Sequence, residues 1–220
     1  MSLLGMMHLI IGEAVSTFLL LFLGLGLTQF DSQATQKKTA SYWVIAVFIG
    51  NVVGHRLGSA NMNPIFLFQD TVLKQHSALA FVLGIFAEML GAMVAVIILL
   101  GLPSAKNKQL QDYAAVAGAI SCQKAIVFEA AATFSLLWVS KTAASFTSGW
   151  TNFFIVSLFI GGLVYFVGPL TGASLNPVRD LVPRLLYVKK SNRWPEIKNS
   201  LVSSTVAPVL GGVLFISFFK

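Results

Sequence analysis

The sequence predicts an all-α membrane protein with six transmembrane helices and two re-entrant half-helices, arranged as an inverted repeat. Three observations carry this. Apolar stretches of about 20 residues, the length a bilayer core requires, recur along the chain. Two Asn-Pro dipeptides, Asn63-Pro64 and Asn176-Pro177, each open an apolar run too short to cross. The two halves of the chain also match one another around these dipeptides.

The spans fall at about 9–29, 41–55, 78–102, 119–140, 151–169 and 201–219. With 56% apolar and 10% charged residues and a mean hydropathy of +0.79, the chain is far from a soluble domain. Six spans and two half-helices nearly exhaust 220 residues, leaving no room for a soluble catalytic domain. The first span is read as a mature helix rather than a signal peptide. No basic segment precedes it, and no small-x-small cleavage site follows before the later spans.

Each half-helix follows a run of small residues, Gly58-Ser59-Ala60-Asn61-Met62 and Thr171-Gly172-Ala173-Ser174-Leu175. Asn caps a helix start, and Pro tolerates the first turn because its missing N–H would have no partner there. Irregular backbone at membrane depth survives only inside protein or along a cavity, so the pair marks a path or a binding site.

The halves, approximately 1–110 and 111–220 of a single domain, share further segments. Gly12-Glu13-Ala14-Val15-Ser16-Thr17-Phe18 matches Phe128-Glu129-Ala130-Ala131-Ala132-Thr133-Phe134, and Ala87-Glu88-Met89-Leu90-Gly91-Ala92 echoes Ala207-Pro208-Val209-Leu210-Gly211-Gly212. Each half reads as helix, helix, half-helix, helix; an odd number of full spans forces opposite orientations. Gly50, Gly54, Gly84, Gly91, Gly161, Gly162, Gly211 and Gly212 suit close helix crossings. Glu13 and Glu129 are ionisable residues inside spans and hence functional candidates. Their symmetric placement points to a shared structural task, accepting hydrogen bonds from the N–H groups of the re-entrant loops; proton coupling is the alternative. Glu88 faces Pro208 in the repeat and is read as structural.

Other chemistries find little support. A single cysteine, Cys122, excludes an intrachain disulfide and a multi-cysteine metal cluster. His8, His55 and His76 are dispersed and form no ligand set, so no metal or cofactor is expected. Nothing joins a nucleophile to a base, as an intramembrane enzyme requires. The net charge of +7 sits in short loops, which favours contact with the membrane surface over nucleic acid.

Gly172-Ala173-Ser174-Leu175-Asn176-Pro177-Val178-Arg179-Asp180-Leu181-Val182-Pro183-Arg184, taken with the first Asn-Pro and the two symmetric glutamates, strongly resembles the major intrinsic protein family of aquaporins and glycerol facilitators. The resemblance covers essentially the whole chain. It implies a homotetramer with one pore per subunit, in the cell membrane with both termini cytoplasmic. It also implies that the half-helices meet at the midplane, where Asn63 and Asn176 present amide groups to the solute. Carbonyls of Ser59, Ala60, Asn61 and Met62, and of Gly172, Ala173, Ser174 and Leu175, would form an acceptor ladder. Trp43, Val164, Ala173 and Arg179 fall at the filter positions. Water-specific members usually carry His where Val164 stands, so the resemblance implies that this filter suits a carbon backbone.

Asp180, Arg184 and Pro208 match the glycerol-facilitator (aquaglyceroporin-like) subgroup. The expectation is a passive channel for glycerol and similar uncharged solutes with some water flux. A water-selective channel and a proton-coupled transporter are the alternatives. Three departures stand out. Ile65 and Val178 replace the usual alanines after Asn-Pro, which puts the size cutoff in doubt, and Asn61 replaces the usual histidine. The Lys/Arg count opposes the implied orientation. It places Lys37, Lys38, Lys106, Lys108, Lys189, Lys190, Arg193 and Lys198 outside against Arg56, Lys74, Lys141 and Lys220 inside.

Overall fold

The computed structural model describes residues 2–104, 108–118, 120–198 and 200–219. The expected start of the fourth span at residue 119, together with Lys106 and Lys220 of the charge count, lies outside them. The helices are α1 (Leu3–Phe30), α2 (Gln36–Leu57), α3 (Pro64–Val72), α4 (Ala78–Gly101), α5 (Cys122–Phe146), α6 (Gly149–Phe166), the short α7 (Gly168–Thr171), α8 (Pro177–Ser191) and α9 (Ala207–Phe219). A π-helical turn, Val202–Val206, leads into α9. The described residues contain no strand.

Among the described residues, five helices are long and apolar enough to span a membrane: α1, α4, α5, α6 and the continuous Val202–Phe219. The remaining expected span, α2, has the length at 22 residues, but polar groups at its ends (Lys37, Lys38, His55, Arg56) dilute its apolar character. The fifth span ends earlier than expected, at Phe166, because Gly168 and Pro169 start a separate turn. Helix starts are set by side-chain caps. Ser2, Thr35, Ser77 and Ser121 accept from the N–H of Gly5, Lys38, Ala80 and Lys124 at the heads of α1, α2, α4 and α5.

Small residues bring the spans together. A Cβ built on Gly91 would lie 2.0 Å from the carbonyl oxygen of Ala14, where α1 crosses α4. One on Gly211 would lie 2.2 Å from that of Ala130, where α5 crosses α9. These are matching positions of the two halves, and each crossing admits only glycine. The halves meet where α2 packs on α6 at Gly161, against Val44. Phe86, Leu90 and Ile97 of α4 and Leu210 and Leu214 of α9 are exposed on the outer surface, an arrangement suited to lipid. The half-helices fill the interior, α3 against α4 and α9, and α8 against α4.

Candidate pore

Each re-entrant loop hangs on one buried carboxylate. Glu13 of α1 accepts from the Ser59 hydroxyl, from Asn61 N–H at 2.9 Å and from Met62 N–H at 2.8 Å. Glu129 of α5 accepts from the Thr171 hydroxyl at 2.5 Å, from Ser174 N–H at 2.8 Å and from Leu175 N–H at 3.0 Å. Both glutamates are fully buried. Loop N–H groups at membrane depth have no helix partner, and an unmet buried donor costs about 1–3 kcal/mol. A carboxylate with acceptor sites on two oxygens meets several at once.

The loops then lock to each other. Asn63 Oδ1 accepts from Ile65 N–H at 3.1 Å; Asn176 Oδ1 accepts from Val178 and Arg179 N–H at 3.0 and 3.1 Å. With each oxygen committed to its own helix, the amide nitrogens are free to reach across. Asn63 Nδ2 donates to Leu175 O at 3.0 Å and Asn176 Nδ2 to Met62 O at 2.5 Å. Each NH2 keeps a second hydrogen, and both asparagines line the central cavity. The positive ends of α3 and α8 converge there.

Three cavities share lining residues. A waist of about 60 Å³ is lined by Trp43, Asn63, Val164, Ala173, Asn176 and Arg179 along with an apolar wall that includes Val47, Phe66 and Ile160. That volume holds a short file of water-sized groups. On the α8 side it shares Trp43, Val164 and Arg179 with a vestibule of about 220 Å³. On the α3 side it shares Asn61, Met62, Phe66 and others with a vestibule of about 250 Å³. Of the ladder residues, Ala60, Asn61, Met62, Gly172, Ala173, Ser174 and Leu175 all line one of these spaces. Ser59 lines none of them; its hydroxyl serves Glu13.

Arg179 and Trp43 meet at the α8-side neck. The guanidinium carbon lies 4.6 Å from the indole ring centroid, a cation–π contact. The ring is seated against Gly24, where a Cβ would fall 2.8 Å from it. Arg179 Nη1 is buried and has no hydrogen-bond partner in the protein. Arg179 lines both the waist and the α8-side vestibule, so the neck sets a guanidinium beside an apolar surface.

The major intrinsic protein model matches residues 2–217, nearly the whole chain. The chain belongs to the major intrinsic protein family. It is a membrane channel protein and passive transporter, not an enzyme. Among its relatives, Aquaporin TIP2-1 of Zea mays is 28% identical, with 94% of this chain and 86% of that protein covered. A probable glycerol uptake facilitator protein of Mycoplasmoides gallisepticum is 25% identical, with 96% of each covered. The crystal structure of the aquaglyceroporin from Plasmodium falciparum aligns at a TM-score of 0.87 with 26% identity, over 97% of this chain and 95% of that one.

Against the family pattern, Ile65 and Val178 point away from the lumen. Neither lines the waist. Ile65 packs with Leu137, Phe215 and Ile216 and sits against Gly212, where a Cβ would fall 2.3 Å from its Cγ2. Val178 lies in the cluster that holds Ala92, Ala95 and Met62. The larger side chain at position 65 is thus absorbed by a glycine on α9, and the doubt it raised about pore size finds no support in the lining.

Asp180 and Arg184 also lie off the path, both fully buried. Asp180 accepts from Ala115 N–H at 2.7 Å, Arg184 donates to Ala115 O at 2.7 Å, and the two form a two-pronged ion pair at 3.0 Å. Ser204 Oγ donates to Asp180 Oδ2 at 2.9 Å. The pair clamps the connection between α4 and α5 to α8 and to the π-turn. Pro208 is buried in the first turn of α9, away from all three cavities. Glu88 is fully buried on α4, beside Glu13 and the backbone of Asn63. Sequence reasoning implied an apolar wall but missed Gly24 and which residues form that wall, Val47, Phe66 and Ile160, because nothing local marks which face of a uniformly apolar helix meets a lumen.

Proposed function

We propose that the chain is a passive channel for glycerol and similar small uncharged solutes, with some water flux. The observation that carries this is the neck at Arg179. The Arg179 guanidinium, a hydrogen-bond donor, lines the cavity beside the Trp43 ring, with Val164 and Ala173 on the remaining wall. Hydroxyls on one edge of a polyol bind the donor while its carbon edge slides along the apolar side. At the midplane the Asn63 and Asn176 amides take over the hydroxyls, and the converging half-helix dipoles oppose cations and protons.

The reading extends to a homotetramer in the cell membrane, surrounded by lipid, with one pore per subunit and both termini cytoplasmic. Cys122, exposed at the head of α5, tests the orientation: an impermeant maleimide added outside intact cells labels it if the termini are inside. Stopped-flow light scattering on proteoliposomes tests the transport. Glycerol flux well above empty vesicles, insensitive to a pH gradient, is expected. Water flux without glycerol flux would favour a water-selective channel. Saturable flux driven by a pH gradient would favour proton coupling.

A further inference from the structure

Asn61, the residue in place of the family's usual histidine, lines both the waist and the α3-side vestibule. Its backbone is held by Glu13 at 2.9 Å. Its side chain donates from Nδ2 to Asp70 Oδ2 at 3.2 Å, across to α3, and also lies within reach of the Glu13 carboxylate. The chemistry of that contact fixes the amide. An ionised carboxylate only accepts, so Asn61 must turn its NH2 to Asp70 and its Oδ1 the other way. A pore-lining amide without such an anchor could flip and offer donor and acceptor interchangeably. Asp70 is itself partly buried, with His76 Nε2 3.6 Å from the same Oδ2.

We infer that Asp70 is a positioning residue for permeation, orienting Asn61 so that its carbonyl oxygen accepts the O–H of the molecule passing the α3-side vestibule. The pore then has complementary ends. The neck at Arg179 donates, and the wall at Asn61 accepts. A polyol hydroxyl both donates and accepts and is held at each. The inference rests on the facilitator reading only in naming the solute, since water carries the same O–H.

The test compares Asp70→Asn, Asp70→Leu and Asn61→Ala with wild type in proteoliposomes, together with the double variant Asn61→Ala/Asp70→Asn. Asp70→Asn is the informative change. An Asn–Asn contact still ties the loop to α3, so a purely structural link survives it, but Asp70 no longer dictates the amide orientation. We expect unchanged thermal stability and a glycerol-to-water permeability ratio lowered about two- to tenfold, the range of one hydrogen bond. Asn61→Ala lowers the ratio similarly, and adding Asp70→Asn to it changes nothing more.

A normal ratio in Asp70→Asn beside an unstable Asp70→Leu would overturn the inference in favour of a structural tie. A further fall in the double variant would also overturn it, because a bare loss of charge acts without Asn61. If wild type carries water and no glycerol, the facilitator reading fails while the same comparison is read in water permeability. Non-additive losses there support the inference, and wild-type values overturn it.

Discussion

Met62 and Leu175 occupy the same place in the two halves and do the same thing from opposite sides of the midplane. Each adopts a left-handed backbone, φ 54° and 56°, despite being neither glycine nor asparagine. Each gives its N–H to a buried glutamate, Met62 to Glu13 and Leu175 to Glu129. Each offers its carbonyl to the asparagine of the other half. A non-glycine residue in this region costs about 1–2 kcal/mol, and two hydrogen bonds at each position offset it. The twist turns each carbonyl toward the opposite half-helix.

Glu129→Gln should therefore disturb transport and stability together. The glutamine replaces one acceptor oxygen with an NH2 that faces loop donors, leaving at least one of them unmet at about 1–3 kcal/mol. A lowered apparent Tm in detergent and a lower flux per protein are expected, and Glu13→Gln should behave alike. Wild-type stability in both would show that the loops hold their shape without the carboxylates.

Val164→His should separate glycerol from water. The imidazole adds bulk and a polar edge opposite Arg179, where the apolar wall now accepts carbon. Glycerol permeability should fall about tenfold, equivalent to roughly 1.4 kcal/mol on the barrier, while water permeability is largely kept. Stopped-flow measurement of both solutes decides it; an unchanged ratio would place selectivity elsewhere along the path.

Ile65→Ala should do the reverse, costing stability and sparing selectivity. Ile65 is 3% exposed and packs on the side of α3 turned away from the waist. Truncation at such a site costs about 2–5 kcal/mol. Thermal unfolding should register the loss, and the glycerol-to-water ratio of the folded fraction should match wild type.

Asp180→Ala should be the most damaging of these changes to the fold. It removes the carboxylate that both the Arg184 guanidinium and Ala115 N–H use. Breaking a buried ion pair from one side costs about 3–5 kcal/mol. Low yield of folded protein or a sharply lowered Tm is expected, and near-normal stability would refute the clamp.

The loop after α1 carries a pH-dependent contribution. The Tyr42 hydroxyl, Lys38 and Gln33 N–H hold the Asp31 carboxyl down at about 2, from an ordinary 3.8. The folded value is the lower one, so the contribution is complete above pH 3.8 and disappears as pH falls through about 2. Asp31→Asn should unfold at a lower temperature than wild type at neutral pH. Unfolding scans at descending pH should see the two converge.

The sequence by itself determined the elements and their pairing. Apolar length marks the spans, Asn-Pro marks the half-helix starts, and the repeat singles out Glu13 with Glu129. All of these are local patterns or comparisons of the chain with itself. Only the tertiary structure decided which face of each helix meets the lumen. Side chains at positions 65 and 178 read from the motif as candidates to narrow the midplane, but Gly212 on α9 opens a seat for Ile65 and turns it outward. Asp180 and Arg184 read as subgroup markers, and their partner, Ala115, lies 65 and 69 residues away. Asp70 carries no local signal at all, because its effect on Asn61 depends on how the loop before α3 folds back along it. In a chain whose helices are apolar on every side, periodicity does not tell lipid from protein or protein from pore. That distinction is made by small residues and buried polar contacts between segments far apart in sequence.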